Sequence, residues 1–165
     1  MFQIKHIARE CIPAALEKAE RYRLLNEPAL AESICLDILD ADPQHAKAII
    51  TLLLAITDQF GTADPADISR ARQLLLRLPN EYEQKYYAGI ICEREGLSIF
   101  TRGMRGSHFA AYEWLREAME LFEEAEAIRP PGNDDALLRW NTCARLIMRH
   151  QLEPAEEQYV EPPLE

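Results

Sequence analysis

Residues 110–131 read AAYEWLREAMELFEEAEAIRPP, and their pattern decides the fold class. Ala111, Leu115, Ala118, Phe122 and Ala125 recur at alternating steps of four and three, the period of one helical face. Glutamates fill the places between them, so the opposite face is solvated. Pro130 and Pro131 stop the run, because proline lacks the amide that a helix interior needs. On the apolar face the large Phe122 stands between the small Ala118 and Ala125. Small residues let a second helix approach closely, and the large one fills the gap.

The same period recurs upstream. In residues 28–40 two rows step by four and lie side by side: Leu30, Ile34, Ile38 and Ala31, Cys35, Leu39. Prolines mark the boundaries. Pro28, Pro43 and Pro65 each follow an acidic residue, Glu27, Asp42 and Asp64. Each predicts a helix start, with aspartate as the cap and proline in the first turn. Asn26 is a better cap than Glu27. Ser107 is the expected cap of the run that begins at His108, and Asn133 to Asp135 offer caps after the double proline. These marks predict helices in pairs, at about 13–26 with 28–40, 44–60 with 66–78, and 81–97 with 107–129, then a seventh at about 134–150. A short extra helix is expected within the first dozen residues, ending before Pro13. No segment alternates as a strand does, so the expected class is all-α.

Composition agrees with a packed domain. The chain has 165 residues, 48% hydrophobic and 28% charged, enough for one proper core and unlike a disordered chain. The longest apolar run, AIITLLLAI from Ala48 to Ile56, is about half of the roughly 20 residues that a membrane helix needs. The N-terminus turns charged too soon for a secretory signal, which argues for the cytoplasm. Cys11, Cys35, Cys92 and Cys143 are widely separated with no CxxC pair, as expected of small buried hydrophobes in a reducing compartment. The formal net charge of -10 opposes general nucleic-acid binding by phosphate repulsion, though it leaves room for a local basic patch.

Measured back from its proline, the opening stretch resembles a tetratricopeptide repeat. That family has a small residue, a large one four later, a small one three later and a proline five after that, matched by Ala118, Phe122, Ala125 and Pro130. Ala31, Cys35, Ile38 and Pro43 keep the spacing, with cysteine in the large slot and isoleucine in a small one. Ala19 and Tyr22 sit at the small and aromatic positions of a first helix. Gly89 and Gly96 resemble the family's first-helix and turn glycines. Trp140, Cys143, Ala144 and Ile147 match the spacing of a further first helix. The middle pair offers Ala71, Leu75 and Leu78, but Pro79 follows at once instead of five residues later.

The resemblance covers most of residues 13–150. It implies an α-solenoid of about three antiparallel helix pairs plus a C-terminal capping helix, because one pair cannot bury its apolar face alone. Residues 1–150 would form this domain, followed by an acidic, proline-rich tail at 151–165. The insertions around Gly61 to Pro65 and Ser98 to Gly106 are the main departures. The family's concave groove binds extended peptides, and some members grip a terminal carboxylate there with Lys and Asn. Here Leu16 and Tyr86 stand at the positions comparable to those lysines.

Motifs that would carry an enzyme do not occur. There is no glycine-rich phosphate loop of the P-loop or dinucleotide type, no HExxH and no nucleophile elbow, and the four histidines are scattered. His45 follows Pro43 within the first turn of its helix and is expected to be exposed. The expectation is therefore a chain without catalytic residues, cofactor or metal.

Two places stand out for binding. Asn141 and Arg145, four apart on the last helix, share a face. If Trp140 and Ala144 face the preceding repeat, Asn141 and Arg145 point into the groove. The second place is TRGMRGSHF, residues 101–109, where Arg102 and Arg105 accompany Gly103 and Gly106 with no acid nearby. Exposed arginines fork onto carboxylate or phosphate. The GxxG also resembles RNA-clamping loops, without the surrounding sheet signal. The tail QLEPAEEQYVEPPLE has five glutamates, three prolines and no base, so it is a candidate partner for Arg102, Arg105 or Arg145. The expected function is a protein-interaction module or scaffold that binds a peptide or protein in a helical groove. The alternative is a regulatory or assembly subunit that binds a small anionic ligand or RNA through residues 101–109.

Overall fold

Helix ends are decided by which residues can leave helical geometry, and several lie away from the prolines that suggest them. The computed structural model describes residues 1–62 and 67–155. Its helices are α1 (Ile12–Leu24), α2 (Pro28–Ala41), α3 (Ala46–Thr57), α4 (Asp67–Leu75), α5 (Glu81–Arg102), α6 (Ser107–Ala127) and α7 (Asp135–His150). No strand occurs among the described residues, so the chain is all-α. The expected extra N-terminal helix is a single 3-10 turn, Arg9–Cys11, running straight into α1, with Pro13 in the first turn of α1.

Four boundary expectations are corrected. Asn26 does not cap α2. It takes a left-handed φ of 59° and closes α1, with the Glu27 amide bonded to the Tyr22 carbonyl at 2.8 Å. Asp42 ends α2 instead of starting α3, its amide bonded to Ile38 O. α3 starts three residues beyond Pro43, capped by half-buried His45, whose Nδ1 accepts the Ala48 amide at 3.2 Å. Ser107 is the first residue of α6 and not its cap. Its hydroxyl is buried with no partner among the described residues, and Gly106 holds the cap position at φ 80°. The expected start at Asp64 and Pro65 lies outside the described residues. Asn133 does serve as expected, accepting the Asp135 amide at 2.9 Å.

The largest shift in bounds is in α5. It continues past residue 97 to Arg102 and ends only at Gly103, which takes the left-handed conformation that glycine adopts without a Cβ clash. The apparent insertion at 98–106 shrinks to the four-residue turn Gly103–Gly106.

Successive helices pack against one another, and α1 also touches α3, as α3 touches α5. Two apolar cores result. The first joins α1–α4 with Ile91; the second joins α5–α7 with Leu152. Leu54 and Tyr87 border both. Ala31, Cys35, Ile38, Ala118, Phe122 and Ala125 are all fully buried, so the small–large–small face is the packing face. Gly89 completes it: a Cβ there would sit 2.6 Å from the Phe122 ring. No helix among the described residues is long and apolar enough to cross a membrane.

Candidate functional site

α7 buries Ala136 and Cys143 and packs Trp140, Ala144 and Ile147 against the second core. These residues fall on one side at helical spacing, which fixes what the other sides present. Trp140 is half-buried, and its Nε1 donates to Glu123 Oε1 of α6 at 2.8 Å. Leu137, Trp140 and Asn141 face Glu123 and Glu126 across an open cleft of about 310 Å³. Arg129 holds Glu126 at 2.7 Å, while Glu123 has only the indole N–H among the described residues. The cleft thus has an aromatic and aliphatic wall and an acidic rim.

Trp140 and Asn141 are brought together here. Arg145 is exposed, outside this cleft. The residue of α7 that forms an ion pair with α5 is Arg139, whose Nη1 lies 3.2 Å from Glu93 Oε2. Glu93 is 2% exposed. Burial pushes its carboxyl above the usual carboxylate range, while Arg139 and Arg94 pull it back. Sequence reasoning passes over this pair. A signal existed: the residues three and four away from Glu93 along the helix, Gly89, Ile90, Gly96 and Leu97, carry no polar side chain, and an acid on such a face needs a partner.

A second ion-pair group ties α1, the end of α3 and α5. Arg23 Nε donates to Asp58 Oδ2 at 2.8 Å, and Arg94 Nη1 lies 3.3 Å from Asp58 Oδ1. Further along α5, Arg102 lies 3.5 Å from Glu95 and donates from Nε to Ser98 O at 3.4 Å. Arg105 is exposed in the turn that follows. The Phe100 ring meets His108 edge-on and His150 at a tilt, with centroids 5.4 and 4.5 Å apart, so the start of α6 and the end of α7 both reach it.

The chain leaves α7 through Gln151, which is left-handed at φ 51°, and buries Leu152 in the second core. Residues 156–165 carry the rest of the acidic tail and lie outside the described residues, so its expected contacts with the arginines do too. Cys35, Cys92 and Cys143 are buried and Cys11 is exposed. Burial pushes all three buried thiols up to about 12. No three metal-ligating side chains gather among the described residues.

Comparison with protein-family models, curated proteins and solved structures finds no match to this chain.

Proposed function

We propose that the chain is a non-enzymatic protein-interaction module, a scaffold of stacked helix pairs of tetratricopeptide type, which takes an extended peptide bearing a lysine or arginine. The observation that carries this reading is the cleft between α6 and α7. Trp140 has its nitrogen occupied by Glu123, which leaves the indole face for a ligand. A cationic side chain over that face gains a cation–π contact and meets Glu123 and Glu126 at the rim. Leu137 supports the aliphatic stem. Asn141 has both a donor and an acceptor for the backbone of an extended strand. Arg145 lies one turn further along α7, where the continuing peptide would pass.

The stacking part of the proposal is supported by contacts between alternate helices, α1 with α3 and α3 with α5. That is the arrangement in which each pair covers the apolar face of the next. Three buried thiols suit the reducing cytoplasm.

Tryptophan fluorescence titration with short lysine-containing peptides tests the reading. Saturable binding is expected, at least tenfold weaker when the lysine is replaced by glutamate. Asn141→Ala should weaken it several-fold, and Arg145→Ala should weaken only longer peptides. The same variants should reduce capture of a partner from the native organism. Absence of saturable binding by any basic peptide overturns the proposal.

A further inference from the structure

We propose that the cavity between the end of α3 and the second half of α5 binds a phosphate monoester. This cavity holds about 410 Å³ and opens to solvent. It shares no lining residue with the α6–α7 cleft, so it stands independently of peptide binding.

Charge is the first argument. Asp58 is the one acid on the lining among the described residues, and it is already engaged by Arg23 and Arg94. Arg102, also on the lining, has only Glu95 at 3.5 Å and a side chain about half exposed. Among the described residues, the guanidiniums of Arg23, Arg94 and Arg102 on and beside the lining stand against the carboxylates of Asp58 and Glu95, a local positive excess in a chain of net charge -10. A small anion is attracted to such a spot, while a polyanion is repelled by the rest of the molecule.

Donor geometry is the second. Arg94, Ser98 and Arg102 are spaced by four on α5 and share one face. The Ser98 hydroxyl is shut off from solvent and has no hydrogen-bond partner among the described residues. Gly61, at φ 88°, lays the α3–α4 connection against it, since a Cβ there would come within 2.8 Å of Ser98 Oγ. A buried hydroxyl without a partner is costly, and a bound oxyanion would satisfy it. Two guanidiniums and a hydroxyl, set one helical turn apart along this face, suit the three terminal oxygens of a phosphate monoester. A carboxylate has two oxygens and is satisfied by a single arginine fork.

The rest of the lining describes the body of the ligand. Thr62 and Thr101 spend their hydroxyl protons on the carbonyls of Gln59 and Leu97, at 2.7 and 2.8 Å. Their oxygens remain as acceptors for hydroxyl groups, while Phe60 and Leu97 add apolar surface. The volume fits a small hydroxylated phosphate ester.

Isothermal titration calorimetry on the full chain tests this, with glycerol 3-phosphate, inorganic phosphate and acetate as probes. Both phosphates should bind saturably and at least tenfold more tightly than acetate. Arg102→Ala should weaken glycerol 3-phosphate at least tenfold, and Ser98→Ala several-fold, with unchanged circular dichroism. Arg105→Ala, in the neighbouring turn but off the lining, should bind as the parent does. Arg102→Gln keeps the side-chain length if the alanine variant folds poorly. Acetate binding as tightly as phosphate overturns the ligand class. Equal losses in the Arg102 and Arg105 variants would reduce the effect to diffuse charge, and no saturable binding below about 10 mM removes the site. Peptide binding at the α6–α7 cleft should be the same in the Arg102 variant, so the two proposals fail separately.

Discussion

Phe122 fits because Gly89 is bare. A Cβ on Gly89 would stand 2.6 and 2.8 Å from two ring carbons, and the ring is fully buried with nowhere to retreat. Gly89→Ala should therefore cost about 1–3 kcal/mol as overpacking. Gly103→Ala meets nothing within 4 Å and strains only a left-handed backbone, a cost of about 1 kcal/mol. Urea denaturation of the two variants checks the order; a larger loss at Gly103 would contradict the packing argument. The cysteines make a second test at this scale. Cys35, Cys92 and Cys143 are pushed up to about 12 by burial, so the reactive thiolate is scarce in the folded chain near neutrality. Titration with Ellman's reagent at mildly alkaline pH should find one fast thiol, the exposed Cys11, and all four only in denaturant.

Among the elements, α7 is tied to α5 by one buried ion pair, Glu93 with Arg139. Removing the arginine leaves a nearly dry carboxylate, which should cost about 3 kcal/mol or more near pH 7.5. The pH dependence follows from the direction of the Glu93 shift. A carboxyl raised by folding holds its proton more tightly in the folded chain. Stability is then favoured at low pH and lost as pH rises above the ordinary carboxylate range through the folded value. Arg139 limits that rise. Arg139→Ala should therefore be clearly less damaging near pH 5 than near pH 7.5, and adding Glu93→Gln should recover much of the loss. Chemical denaturation at the two pH values measures both.

This pair also marks where the sequence becomes hard to read. The packing face of α6 was legible because Ala118, Phe122 and Ala125 carry their spacing within a single helix. The start of α3 was not, because Pro43 is compatible with either a first turn or the loop before it, and His45 capping replaced the expected aspartate. The end of α5 differs because Gly96, which resembles a turn glycine in sequence, lies buried inside the helix, where its missing Cβ lets Trp114 and Leu115 of α6 approach. Trp140 and Asn141 could be singled out from one helix, but the side of α7 that reaches α5 depends on how α7 lies against α6. Only tertiary placement decides that Arg139 makes the contact.

At the scale of the molecule, two cores share a narrow seam. Leu54 of α3 and Tyr87 of α5 border both, and α3 touches α5 there. Both tryptophans, Trp114 and Trp140, pack on the second core, and the first core has none. Tryptophan fluorescence therefore reports on α5–α7, whereas far-ultraviolet circular dichroism reports on every helix. If the seam couples the cores, the two signals should follow one urea transition in the parent chain. Leu54→Ala with Tyr87→Ala opens the seam and removes contacts from both sides. Nearest-neighbour coupling then weakens, and α1–α4 should unfold at lower urea than α5–α7. Circular dichroism would show that earlier step and fluorescence would not. Coincident transitions in the double variant would mean that cooperativity runs through the longer α5 itself and not through these two side chains.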